Sequence, residues 1–257
     1  MMSVLYSECT ARGQLRSANE ACVQPYHNIL LTNSSFEPTA DSAPQDPAIE
    51  VSPSSAYLLP SFRYVPSVPT DPAHVDALIQ AFVLPSQLHQ SNDRPTRAET
   101  NILRRKEELQ QRFAGVRDID EVLVLVCGHA ARDVRCGTLG PILQREFEDK
   151  LRRQNVEVLG RPPGSKDALG DLTVSEYVPK ARVGQISHIG GHKFAGNVIV
   201  YIPPSFTSNA LAGMGIWYGR VQPAHVEGIV SKTILEGKVI KELFRGGIDQ
   251  HRNVLRL

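Results

Sequence analysis

The sequence predicts a mixed α/β fold on three observations. Residues 122–126, Val-Leu-Val-Leu-Val, form an all-apolar run rich in β-branched side chains, as expected of a central buried strand. Residues 139–153 place Leu143, Phe147 and Leu151 four apart, the spacing of one helix face. Further apolar runs follow at 156–159, 197–202 and 215–218, before a helical pattern opens at Pro223.

The elements are justified in chain order. Residues 1–27 read as a divergent leader open to disorder. Arg12 and Arg16 are offset there by Glu8 and Glu20, so it is a poor matrix-targeting segment, and it has no secretory apolar core. Residues 28–95 read as a small N-terminal α/β domain. It carries a disordered insert near 37–55, rich in Pro, Ser, Ala and Asp. A short strand is expected at 56–60. Asp71-Pro72 then opens a helix to about Val83, with Val75, Leu78, Ile79 and Phe82 on one face. Residues 86–98 are a polar linker, and 96–117 are expected to form a connecting helix with charges on most faces. From 118 to 257 the pattern is strand, helix at 139–153, strand, two more strands, and a helix from Pro223 to near Gly237. That order suits a thioredoxin-like domain, packed with the smaller, divergent N-terminal α/β domain.

Composition narrows the function. Hydrophobic residues make up 41% and charged residues 21% of 257 positions, which suits a globular protein. A net charge of +1 gives no general basic surface, so nucleic acid is not the expected partner. No apolar run reaches the roughly 20 residues that span a bilayer. Four cysteines in so long a chain do not make a secreted disulfide scaffold, so a reducing compartment fits better.

Two pairs of residues carry the chemistry. Cys127 and Cys136 form C-x8-C directly after the apolar strand, and His188 and His192 form H-x3-H around Gly190-Gly191. Two thiols and two imidazoles suit either zinc or an iron–sulfur centre. Singly, a cysteine after a strand reads as a small buried hydrophobe and a histidine near glycines as a surface residue. The joint occurrence brings a shared site level with those separate readings. The histidine spacing fits a zinc finger, whereas the cysteine spacing does not. Arg132 and Arg135, with a helix start at about Thr138, are expected to favour thiolate. Gly190 and Gly191 allow a tight turn, and Ser187 and Lys193 could support the imidazoles. A separate reading takes Cys127 to Arg132 as the C-x4-R loop of a rhodanese-like sulfurtransferase. It leaves Cys136, His188 and His192 without a role.

Residues 124–137, Val-Leu-Val-Cys-Gly-His-Ala-Ala-Arg-Asp-Val-Arg-Cys-Gly, resemble the first ligand loop of the sucrase/ferredoxin-like proteins, also called thioredoxin-like [2Fe-2S] ferredoxins. Residues 187–198 resemble the second, and 215–221 and 244–246 resemble two further segments of that family. The resemblance covers 118–257 closely and 28–90 loosely. It implies a [2Fe-2S] cluster held by Cys127, Cys136, His188 and His192, with His129 as a neighbouring or surface group. Cys9 and Cys22 receive no role. Such ligation implies one-electron transfer or redox sensing rather than catalysis, with a reductase and an acceptor as unidentified partner proteins. With two neutral imidazoles the oxidised cluster would carry no net charge. Its potential is then expected from roughly −150 mV upward, against about −400 mV for all-cysteine ferredoxins. Imidazole N–H groups at its edge would couple reduction to protons. The family suggests the mitochondrion, with the cytoplasm as alternative. Zinc and sulfurtransferase chemistry remain the competing readings.

Overall fold

The computed structural model describes residues 2–6, 29–39, 54–68, 71–88, 103–160, 178–187 and 189–257. Most of the leader and of the expected insert, much of the linker, Cys9, Cys22 and His188 lie outside them. The chain divides into two compact units. One comprises Met1–Leu31, Pro38–Leu59 and Arg63–Arg117, and the other Thr32–Glu37, Pro60–Phe62 and Asp118–Leu257.

Strand β1 (Met2–Tyr6) belongs to the first unit, and β2 (Leu30–Ser34) crosses the division along the chain. In the first unit β1 pairs in parallel with β3 (Ala56–Leu58), which pairs antiparallel with β4 (Arg63–Val65). Helix α1 (Pro72–Leu78) starts as expected. The Asp71 side chain caps it by accepting from the His74 N–H at 3.0 Å, and Pro72 occupies the first turn. The helix then widens into a π-helical turn at Ile79–Val83, so the element reaches Val83 but not as a uniform α-helix. Ala56, Leu58 and Val65 pack with Leu78, Ala81 and Phe82. Residues 96–102 of the expected connecting helix lie outside the described residues, and Leu103 is helical. Further along it is a 3-10 helix, Glu107–Arg112, with no fully buried residue, whose Leu109 packs half-buried against the apolar cluster of the first unit. A two-residue strand follows, β5 (Arg117–Asp118).

The second unit is built on β6 (Val122–Cys127), whose six residues are all buried. Helix α2 (Val134–Arg153) comes next, then β7 (Glu157–Val158) and β8 (Lys180–Ile186). The chain continues through β9 (Val198–Ile202), β10 (Met214–Tyr218), α3 (Pro223–Gly228), β11 (Phe244–Asp249) and β12 (Val254–Leu255). The sheet runs β12-β11-β10-β9-β6-β8-β2 within this unit, with β7 also on β8. β8 is parallel to β6, and β9 and β10 are antiparallel neighbours on the other side. A central strand, a helical crossover to a parallel neighbour and two antiparallel strands fit the thioredoxin-like arrangement expected from the sequence.

Val122, Val124 and Val126 cover one face of β6 and meet Leu143, Phe147 and Leu151 of α2. Val226 of α3, and Ile229, Val230 and Ile234 of the π-helical run Ile229–Leu235 after it, close the same core. Fully burying one such side chain contributes about 1.5–3 kcal/mol. On the opposite face of the sheet, the Phe62 and Tyr201 rings meet edge-to-face at 5.9 Å.

Three details differ from the sequence reading. Helix α2 begins at Val134 rather than near 139, because Asp133 caps it and accepts from the Arg135 N–H at 3.0 Å. Pro141 therefore lies inside the helix. The strand at 156–159 is only a two-residue edge, and the parallel partner of β6 is β8, which the sequence reading passed over. Its charged Arg182 and its Gly184 break the apolar pattern. Both are accommodated: Arg182 is 5% exposed and pairs with buried Glu121 at 2.9 Å, and a side chain on Gly184 would strike the Phe36 ring.

Candidate metal centre

Cys127 ends β6, where the strand delivers it rigidly to the edge of the core. Cys136 sits on the first turn of α2, with only 1% of its surface exposed, as has Cys127. Both are free thiols, and they are hydrogen-bonded to each other. The contact needs glycines. A Cβ on Gly137 would lie 2.7 Å from the Cα of Ala130, and one on Gly140 would lie 2.8 Å from the Cα of Gly128. Missing side chains at these two positions let the helix approach the Cys127 loop closely enough to bring sulfur to sulfur.

Burial is the largest influence on the Cys136 thiol. With the neighbouring Cys127 and the Asp133 carboxylate it pushes the thiol up to about 11, against a hydrogen bond donated by the Gly196 N–H. Burial thus outweighs the help expected from the arginines, although the Arg135 charge still interacts favourably with Cys136. Arg135 turns onto Asp133, with its Nη2 2.9 Å from the carboxylate, and Arg132 is exposed.

The segment carrying the histidine pair runs past these thiols. Asn197 O accepts from the Cys127 N–H at 3.0 Å, and Gly196 reaches Cys136. Gly190 (φ +73°) and Gly196 (φ +88°) take the left-handed turns, whereas Gly191 does not. The backbone of His192 begins a 3-10 turn, His192–Phe194. Its side chain, like all of His188, lies outside the described residues. Among those residues no group of three or more metal-binding side chains converges. The structure thus brings the two cysteines together and places the backbone of the histidine segment against them.

Three neighbours of the site are fixed by contacts of their own. Ser187 Oγ bonds to Thr32 Oγ1 and takes the Asn33 N–H at 3.1 Å, so it anchors the loop to β2. Lys193 is exposed and lies over Phe194. His129 is half-buried, and its Nδ1 is buried without a hydrogen-bond partner. The sequence reading gave no role to Arg245. Its guanidinium stacks on Phe194 with Cζ 3.8 Å from the ring centre, and it donates to Asn197 Oδ1. It fills the space where a side chain on Gly190 would stand, and so braces the loop. The only signal was its place in the family-like Phe-Arg-Gly segment.

A sequence profile of the family described as Sucrase/ferredoxin-like matches residues 5–246. The chain belongs to that family. Among its sucrase/ferredoxin-like relatives is altered inheritance of mitochondria protein 32 of Meyerozyma guilliermondii, 30% identical over 93% of this chain and 72% of the relative. The protein of the same name from Clavispora lusitaniae is 37% identical over 68% of this chain and 52% of its own length. That from Debaryomyces hansenii is 31% identical over 88% and 68%.

Two buried, reduced thiols in contact, on a rigid strand end and a helix turn, fit a thiolate-bound metal group. The donor set is chemically suited to iron–sulfur and to zinc alike.

Proposed function

We propose that the chain holds a [2Fe-2S] cluster through Cys127, Cys136, His188 and His192 and serves in electron transfer or redox sensing. The observation that carries this reading is the meeting of Cys127 and Cys136 beneath the Gly196–Asn197 backbone that leads from the H-x3-H segment. When bound, such a cluster supplies one-electron chemistry. The chain's own residues hold and insulate the site. β6 and α2 fix the two sulfurs, and both must lose their protons to bind metal. Arg245 and Phe194 fix the loop that carries His192.

The sulfurtransferase reading is weaker on this geometry. It needs backbone N–H groups aimed at the Cys127 sulfur. The Cys127 N–H instead donates to Asn197 O and the Gly128 N–H to Ile186 O, at 3.0 and 3.1 Å, and Arg132 points to solvent. Zinc remains the competing metal. The relatives' names support a mitochondrial setting for the proposed activity. Electron transfer would take a donor and an acceptor protein as partners.

The test is anaerobic reconstitution of the chain. A two-iron optical spectrum and an EPR signal on reduction are expected, both lost in Cys127→Ser. A sulfurtransferase would instead turn over thiosulfate, with activity surviving His192→Ala.

A further inference from the structure

Phe194 carries three cations on one ring. The Arg245 Cζ lies 3.8 Å from the ring centre, the Lys193 Nζ 5.0 Å and the Arg220 Cζ 5.3 Å. Arg245 is half-buried and is used internally, on Asn197. Lys193 and Arg220 are exposed, and among the described residues neither pairs with a carboxylate. Gathering like charges without an anion is unfavourable, so ring stacking alone does not explain the cluster.

Arg220 adds an independent observation. Its φ is +58°, the left-handed region that disfavours side chains with a Cβ. Glycine would sit there without strain, yet the position carries a long cation. The loop is held in that form by Arg220 N–H to Phe194 O at 3.3 Å, Arg220 Nε to Lys193 O at 3.4 Å and Val221 N–H to Gly196 O at 3.0 Å. The same Gly196 donates to Cys136. The cations are therefore tied to the edge of the thiol site. The loop between the thiols adds Arg132, exposed, and Val134, 77% exposed. The chain's net charge is only +1, so this excess is local.

We propose that Lys193 and Arg220, together with Arg132 and Val134 of the cysteine loop, form a docking face for a partner protein with an acidic surface patch. Exposed cations beside exposed apolar surface suit the rim of a transient interface. Clustered charge steers such a partner to the edge of the site. The proposal rests on the cluster reading for its purpose, but not for its measurement.

The experiment is titration calorimetry of the full chain with an acidic plant-type ferredoxin as probe, at low and physiological ionic strength. Basic cytochrome c serves as the control. The variant is Lys193→Gln/Arg220→Asn, in which Asn tolerates the left-handed backbone and both charges are removed. Binding of the acidic probe is expected to weaken about tenfold in the variant and to lose much of its salt dependence, with cytochrome c bound by neither form. Unchanged affinity in a folded variant overturns the proposal. So does equal or tighter binding to phosphatidylserine vesicles or to poly(U), which would make the face a membrane or RNA surface. Iron and sulfide analysis of the same preparation tests the cluster separately. Charge-dependent binding without iron leaves the docking face standing and removes the cluster reading.

Discussion

At the scale of single residues, the site depends on the absence of side chains as much as on the ligands. Gly140 illustrates the balance. Alanine would favour the helix by about 0.5–1 kcal/mol. Its Cβ, however, would meet backbone at 2.8 and 3.1 Å, on Gly128 and Cys127, and backbone cannot swing aside. Overpacking of that kind costs about 1–3 kcal/mol, so the clash wins. Gly140→Ala should lower the unfolding midpoint and reduce bound iron by displacing Cys136 from Cys127, read by urea titration and iron analysis. Unchanged iron content would separate helix approach from metal binding. His188→Cys should keep a two-iron spectrum but lower the reduction potential by spectroelectrochemistry, because a thiolate replaces a neutral imidazole. An unchanged potential would remove His188 from the ligands.

At the scale of elements, the strongest periodic signals were legible and the compensated ones were not. β6 could be read from five apolar residues in a row, and the core face of α2 from Leu143, Phe147 and Leu151. β8 could not, because Arg182 reads as solvent-facing until its partner Glu121 is known. The start of α2 was missed for a similar reason. Cys136 and two glycines at 137 and 140 look like loop, and only the Asp133 cap reveals the helix. Of the candidate site, the two cysteines were legible from their place after the apolar strand and their occurrence with the histidine pair. Arg245 was not, since its role depends on Asn197, 48 residues away. Glu121→Gln removes the carboxylate charge facing the buried Arg182 guanidinium and should cost about 3–5 kcal/mol in chemical denaturation. Replacing both partners by leucine should recover most of the loss, and a double mutant as unstable as the single would refute the pairing argument. Helix α1 has a pH signature. The side-chain hydrogen bond with His74 holds the Asp71 carboxyl below its ordinary range. Its contribution is present above the unfolded carboxylate range and fades as the pH falls through the folded value. The stability gap between the protein and Asp71→Ala should therefore narrow in acid.

At the scale of the molecule, family membership is secure and the cluster is the claim under test. Metal bound only by the native state raises its stability by mass action. Apo protein should therefore melt below reconstituted protein. The most direct measurement is quantification of iron, acid-labile sulfide and zinc in anaerobically purified full chain, with EPR after reduction. About two irons and two sulfides per chain and a reduced two-iron signal are expected. Zinc at one equivalent, with neither iron nor sulfide, would contradict it.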